Sequence, residues 1–252
     1  MLRDYELESL LDSSLEQGNN VWVVGDIHGH FDVLLRLIEN INIQDTDFLI
    51  SVGDMIDRGP KSENVLEIFR DTINFHAIAG NHEIMMTDTI RMNELGKWGN
   101  TSVGGKETFD SFPGKNFNEK MIHARSWLGF IENLPLHIVL KQYRIVHAGY
   151  NPNREIYDQT IDDLVWGRQI FLSKVPVDPK RQIVVGHTRI HTLDQYGIQP
   201  PVEGPFFSDL CLEDGRSSLV MIDNGMANYT DGNDEFNLIA FNLLTQQFYV
   251  QQ

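Results

Sequence analysis

The sequence predicts one mixed α/β domain, and three observations predict it. Six short apolar runs each end in a polar turn. They are 21–24 before Gly25-Asp26, 48–52 before Gly53-Asp54, 75–79 before Gly80-Asn81, 143–146 before His147, 182–185 before Gly186-His187 and 219–222 before Asp223. Helical patterns separate the first three runs, and several later runs come in close pairs. Runs this short and β-rich suit strands buried on both faces.

In order along the chain, residues 1–18 are acidic and amphipathic and predict a helical extension. Between 31 and 41, Phe31, Leu34, Leu35, Leu37, Ile38 and Ile41 fall on one helical face. Ser62 stands where it can cap a helix carrying Val65, Leu66, Ile68 and Phe69. Residues 82–95 and 119–133 predict further helices. The first half is then β-α-β-α-β-α, which favours parallel strands with right-handed crossovers. Residues 96–118 are rich in glycine and polar residues and predict a long surface loop, a candidate lid. Residues 136–140 and 143–146 flank Lys141-Gln142 as a hairpin, and 238–244 with 247–250 form another, so the second half is expected to be more antiparallel. Residues 173–181 and 194–209 hold most of the prolines and look irregular.

A chain of 252 residues suits one large core. Its net charge of −16 argues against a surface built to grip nucleic acid or an anionic membrane. A small anionic substrate is still admissible, because exposed charges are screened beyond about 8 Å at physiological salt. The single cysteine, Cys211, excludes an intrachain disulfide and a cysteine-based zinc finger, and is expected in or near the core. No run reaches the about 18 apolar residues of a membrane span, and the N-terminus lacks the pattern of a signal peptide. A soluble, cytoplasmic protein is expected.

The chemistry lies at the strand ends, which carry Asp26 with His28, Asp54 with Asp57 and Arg58, Asn81 with His82, His147, and His187. Each has a bland reading: a helix cap, a turn, a packed histidine. Five strand ends so equipped are hard to credit as punctuation, and the carboxyl ends of strands are where open α/β folds build sites. Asp26, His28, Asp54, Asn81, His147 and His187 offer oxygen and imidazole donors without thiolate, a set suited to manganese, iron or zinc. Six ligands exceed what one ion with an open position takes. They suit two ions about 3.5–4 Å apart, bridged by a carboxylate and a water. The net positive charge of such a pair favours a phosphate, which outweighs a distant negative surface at contact range.

Gly25-Asp26-Ile27-His28-Gly29, Gly53-Asp54-Met55-Ile56-Asp57-Arg58-Gly59, Gly80-Asn81-His82-Glu83, His147-Ala148-Gly149 and Gly186-His187-Thr188 resemble, in order, the signature of the phosphoprotein-phosphatase family of metallophosphoesterases. Size and spacing are similar to its bacterial and phage branch, the bacteriophage lambda-type protein phosphatases. The resemblance spans roughly residues 20–225. It implies a single calcineurin-like domain over 1–252, a four-layer α/β/β/α sandwich of two mixed sheets flanked by helices. It implies that Asp26 and His28 bind a first metal, that Asp54 bridges both, and that Asn81, His147 and His187 bind the second. Manganese is the expected ion, with iron or zinc as alternatives.

The same resemblance makes His82 the proton donor to the leaving oxygen, with Asp57 as its partner. An adjacent carboxylate does favour imidazolium. Arg58, Asn81 and Arg168 of Trp166-Gly167-Arg168 would hold the phosphate, where a guanidinium fork suits its oxygens. The implied reaction is in-line attack of a metal-bridging hydroxide on a phosphorylated protein or peptide. Symmetrical bis(5'-nucleosyl)-tetraphosphate hydrolysis, with a nucleotide substrate, is the alternative; Asp57 favours the former, because those hydrolases usually carry Asn-Arg-Gly there. A non-catalytic phosphate-binding module would be expected to have lost a ligand, Arg58 or His82, and none is missing. His76 alternates within a strand and is expected in the core or behind the ligands, and His123 and His137, which lack a motif, on the surface or in packing. Glu83 suits either acceptance from a ligating imidazole or a helix start. Asp223-Asn224-Gly225 resembles the family's Ile-Asp-Thr-Gly turn with Asn for Thr.

Overall fold

Alternation along the strands sets the layering. In a computed structural model that describes residues 2–230 and 235–252, Val21 and Val23 of the first strand enter one apolar cluster while Trp22 and Val24 face another. Met1 of the N-terminal segment, and residues 231–234 of the 1–252 domain, lie outside the described residues. The first half runs α1 (Tyr5–Glu16), β1 (Val21–Val24), α2 (Phe31–Asn40), β2 (Phe48–Ser51), α3 (Ser62–Asp71), β3 (Phe75–Ala77) and α4 (Asn81–Arg91). Then come α5 (Gly105–Ser111), α6 (Phe117–Ser126), α7 (Leu128–Asn133), β4 (His137–Val139), β5 (Tyr143–Val146) and α8 (Ile161–Val165). The chain closes with β6 (Gln182–Val185), β7 (Phe206–Phe207), β8 (Leu219–Met221), β9 (Asp223–Asn224), β10 (Asn237–Asn242) and β11 (Phe248–Gln251).

Two mixed sheets result. One has the order β11-β10-β1-β2-β3, with β9 also on β10; the other is β4-β5-β6-β8-β7. One cluster fills the space around the second sheet and between the sheets, and a second lies between the first sheet and helices α2 to α7. The parallel pairing of β1, β2 and β3 and both hairpins match the expectation from sequence. The second half is less antiparallel than its pattern implies, since β5, β6 and β8 pair in parallel. The connection from β5 to β6 is long enough for a crossover and carries α8 and a 3-10 turn at Gln169–Leu172.

The acidic N-terminal segment closes an edge. Asp4 caps α1 by accepting from the Glu6 and Leu7 amides, and Leu7 and Leu11 drop into the inter-sheet cluster. Glu8 accepts from the Val139 amide and Asp12 from the Lys141 amide, so carboxylates stand where another strand would pair with β4.

Three expectations are corrected. Segment 96–118 is not one surface loop: 105–111 is helical, and Trp98, Phe109 and Phe112 are buried. Its glycines and polar residues conceal an apolar face that joins the helical layer. Cys211 is exposed, in an isolated bridge to Ser217. Ser62 begins α3 without capping it and turns its hydroxyl toward the Asp57 amide, 3.1 Å away.

Candidate active site

Every site residue singled out in the sequence stands just after a strand of one sheet or the other, except Arg168, which follows α8. Backbone geometry marks the place. Eight described residues other than glycine have positive φ, and five of them are His28, Asp54, Asp57, Arg58 and His187. Such conformations cost energy and persist where surrounding structure enforces them. Glu83 supplies part of that enforcement: its carboxylate accepts the amides of Gly80, Asp54 and Met55, each at 2.8 Å. It thus acts at the helix start and ties two strand-end loops together, and the donors it accepts from are backbone amides, not an imidazole.

Asp54 is the centre. It belongs to two groups whose ligand atoms all lie within 4.8 Å of one another, one with His28 and His82 and the other with His147 and His187. His28 Nε2 and His82 Nε2 each stand 3.8 Å from Asp54 Oδ2, and His147 Nε2 is 3.3 Å from Asp54 Oδ1. Asn81 begins α4 behind the Gly80 cap, and its Oδ1 lies 2.9 Å from His147 Nε2. Asp26 falls outside both groups. Its oxygens accept the His187 amide, at 3.1 Å each, which pins the first strand end to the fifth.

The hydrogen bonds also set tautomers. His28 Nδ1 lies 2.9 Å from the Ile56 carbonyl and His147 Nδ1 lies 2.8 Å from the Val52 carbonyl. A carbonyl only accepts, so each Nδ1 carries a proton and each Nε2 turns toward Asp54. His82 is oriented by acid: its Nδ1 is 2.6 Å from Asp57 Oδ2.

Burial and charge divide the imidazoles. Burial opposes charge on His82, but Asp54 and the hydrogen-bonded Asp57 outweigh it and push the group up to about 9. Burial, then the His82 charge, pushes His28 down to about 3. Burial and His147 hold His187 well below the ordinary histidine value. Burial works against the Asp54 carboxylate too, yet His147 and His82 hold it well below the usual range. Burial, then Asp223 and Asp54, raises Asp26 well above it. Burial likewise takes Glu83 up to about 7 and Asp223 up to about 6.

Four buried acids therefore crowd together, and among the described residues no lysine or arginine forms an ion pair with any of them. His187 Nε2 is buried without a hydrogen-bond partner. Buried carboxylates without a lysine or arginine partner, beside imidazoles such as His28 and His187 that burial keeps neutral, suit a divalent cation. The residues fit such an ion.

Arg58 is half-buried beside this centre, its Nε without a partner and its amide donating to the Gly104 carbonyl at 3.2 Å. Arg168 is also half-buried; its Nη1 donates to the Trp166 carbonyl at 3.4 Å, and its charge acts on His187. The Trp166 ring stands edge-on to His187, centroids 6.0 Å apart. His76, His123 and His137 keep packing roles, against Phe48, Phe112 and Tyr150 respectively.

Asp223 was visible in the sequence only as part of a turn, yet it is buried and close enough to raise Asp26. Trp98 and Thr108 were missed outright; both donate to Asp57. A tryptophan and a threonine in a glycine-rich segment carry no local signal of such a partner.

The calcineurin-like phosphoesterase family model matches residues 20–221. Serine/threonine-protein phosphatase 2 of Salmonella typhimurium is 32% identical over 195 residues, covering 72% of this chain and 85% of that protein. Symmetrical bis(5'-nucleosyl)-tetraphosphatase of Mannheimia succiniciproducens is 29% identical over 138 residues, covering 54% of this chain and 46% of that protein. The structure of a metallophosphoesterase from Sphaerobacter thermophilus superposes with a TM-score of 0.56 at 16% identity, covering 93% of this chain and 88% of that one. No helix among the described residues is long and apolar enough to cross a membrane. The paired acid-imidazole clusters and a family match over most of the chain agree, and the chain belongs to the calcineurin-like phosphoesterases, enzymes that hydrolyse phosphoric esters.

Proposed function

We propose that this chain is a serine/threonine protein phosphatase that works with two divalent ions. The observation that carries the reading is Asp54, shared by two donor clusters, beside a His82 that Asp57 orients at 2.6 Å. Asp26, His28 and Asp54 would hold one ion, and Asp54, Asn81, His147 and His187 the other. Manganese suits these donors, as do iron and zinc. Bound, the ions supply Lewis-acid charge and lower the pKa of water for attack on phosphorus.

The chain's own residues do the rest. Arg58 and Arg168 bind phosphate oxygens, with Asn81 as a further neutral donor. His82 presents Nε2 toward the site while Nδ1 donates to Asp57. A proton on Nε2 can then pass to the departing oxygen, which lets a poor alkoxide leave as an alcohol. The Asp57 carboxylate stabilises that imidazolium.

The balance of curated relatives supports this substrate class. Two phosphatases of Salmonella typhimurium named for serine/threonine-protein activity align over 85% and 79% of their own length. The curated tetraphosphatases align in sequence over half or less of theirs, although the fold of a structure named as a diadenosine tetraphosphatase superposes over 92% of both chains. The test is turnover of a phosphoserine or phosphothreonine peptide against a dinucleoside tetraphosphate, each with manganese, iron and zinc. Preference for the peptide is expected. Turnover of the nucleotide alone would move the assignment to the tetraphosphatases.

A further inference from the structure

We propose that Trp98 and Thr108 are positioning residues for the His82–Asp57 pair, so that segment 96–118 is part of the catalytic apparatus. This rests on the assignment of His82 as proton donor made above, and extends it to residues outside the strand-end motifs.

Asp57 is fully buried, and among the described residues three side chains donate to its carboxylate. Oδ2 accepts from His82 Nδ1 at 2.6 Å and from Trp98 Nε1 at 2.8 Å; Oδ1 accepts from Thr108 Oγ1 at 2.7 Å. The indole N–H also lies 3.1 Å from Oδ1, so it bisects the carboxylate. The Thr108 oxygen in turn accepts the Asp57 amide at 2.8 Å and stands 2.9 Å from Ser62 Oγ. A carboxylate can rotate about its last bond. With one oxygen held by a hydroxyl and the plane fixed by an indole, this one cannot, and the imidazole it grips is aimed with it.

The segment is itself wedged in place. Gly104 has φ +94°, and a Cβ there would stand 2.6 Å from the Arg58 amide nitrogen. Gly105 lies against the Trp98 indole, where a Cβ would stand 2.5 Å from the ring. Trp98 is buried and Thr108 is fully buried, so neither donor has water as an alternative acceptor. The segment thus touches both the proton-donor pair and the phosphate-binding arginine, from the side opposite the strands.

The test uses two aryl phosphates with manganese present. p-Nitrophenyl phosphate has a leaving group that departs unaided, whereas phenyl phosphate needs a proton. Thr108→Val keeps shape and deletes one donor, and Trp98→Phe deletes the other while keeping an aromatic ring in place. Each is expected to lower kcat on phenyl phosphate about 10-fold or more beyond any loss on p-nitrophenyl phosphate. KM and calorimetric manganese affinity should stay unchanged. Thr108→Ser, which restores the hydroxyl, should recover most of the loss. Should Thr108→Val fail to fold, Trp98→Phe gives the same reading through the other donor. Equal losses on the two esters, or manganese affinity falling in step with rate, would mean the residues only support the fold, and the proposal is wrong. A wild-type enzyme idle on both esters overturns the parent assignment, and this one with it; the wild-type control tells the two failures apart.

Discussion

The two sheets contribute unequal halves to the site. The half built after β1, β2 and β3 is braced largely by side chains: Glu83 holds three amides and Asp57 is held by Trp98 and Thr108, while His28 is held through the Ile56 carbonyl. The half built after β5 and β6 has fewer braces: the Val52 carbonyl and Asn81 meet His147 and Asp26 accepts the His187 amide, while His187 Nε2 and Thr188 Oγ1 are buried without hydrogen-bond partners. Bracing is what a proton donor needs, since its aim must survive each turnover. Open donor atoms are what a cation needs, since they must be free to take it. The contrast suggests that the first half moves protons and holds metal, and that the second half chiefly holds metal.

Asp54 belongs to both halves, so its loss is expected to have the largest effect. Asp54→Ala should reduce activity to background and abolish stoichiometric binding of two manganese ions in equilibrium dialysis. Two ions retained by that variant would separate the halves and break the shared-carboxylate reading. The next test sets the halves against each other. His82→Asn should lower kcat by about 10²–10⁴ while keeping both ions, whereas His187→Asn should lower metal affinity at least about 10-fold, with activity partly restored by excess manganese. If metal rescues His82→Asn and not His187→Asn, the assignment of roles is reversed.

A smaller effect is expected at the arginines. Arg168 stands at the open half, where its Nη1 makes a long hydrogen bond to the Trp166 carbonyl. Arg168→Ala should cost about 10- to 100-fold in kcat/KM, the worth of a hydrogen bond to a charged oxygen, chiefly through KM. Unchanged KM for phosphate esters would remove Arg168 from the site.

How much of this was legible follows from locality. Asp26, His28, Asp54, Asn81, His82, His147 and His187 each sit within a few residues of an apolar strand and a glycine, so a short window exposes them. Trp98 and Thr108 reach Asp57 from 41 and 51 residues away, inside a segment whose composition reads as loop. No short window contains that contact. Parallel pairing of β5, β6 and β8 was hidden for a related reason: direction depends on how the long connections pack, which periodicity does not report. The layering was legible only through the family resemblance, because runs such as Val21–Val24 are apolar at every position and do not report which face meets which layer.

The least drastic test concerns stability, and it again separates the sheets. Arg144 in β5 donates from Nε to Asp178 at 2.6 Å with both side chains nearly buried, and Arg181 adds a weaker contact at 3.4 Å. Burial works against the Asp178 carboxylate, but the hydrogen bond from Arg144 and the neighbouring charges hold its pKa below the ordinary value. A depressed folded-state pKa stabilises the fold above the unfolded value, about 3.9, and that contribution fades as pH falls through the folded value. Asp178→Asn strands the Arg144 charge and should cost about 3 kcal/mol near pH 7, where breaking one side of a buried pair is most felt. Urea midpoints should show the gap between wild type and variant narrowing below about pH 4. A gap that stays constant down to acid pH would mean that shape at Asp178 matters and its charge does not.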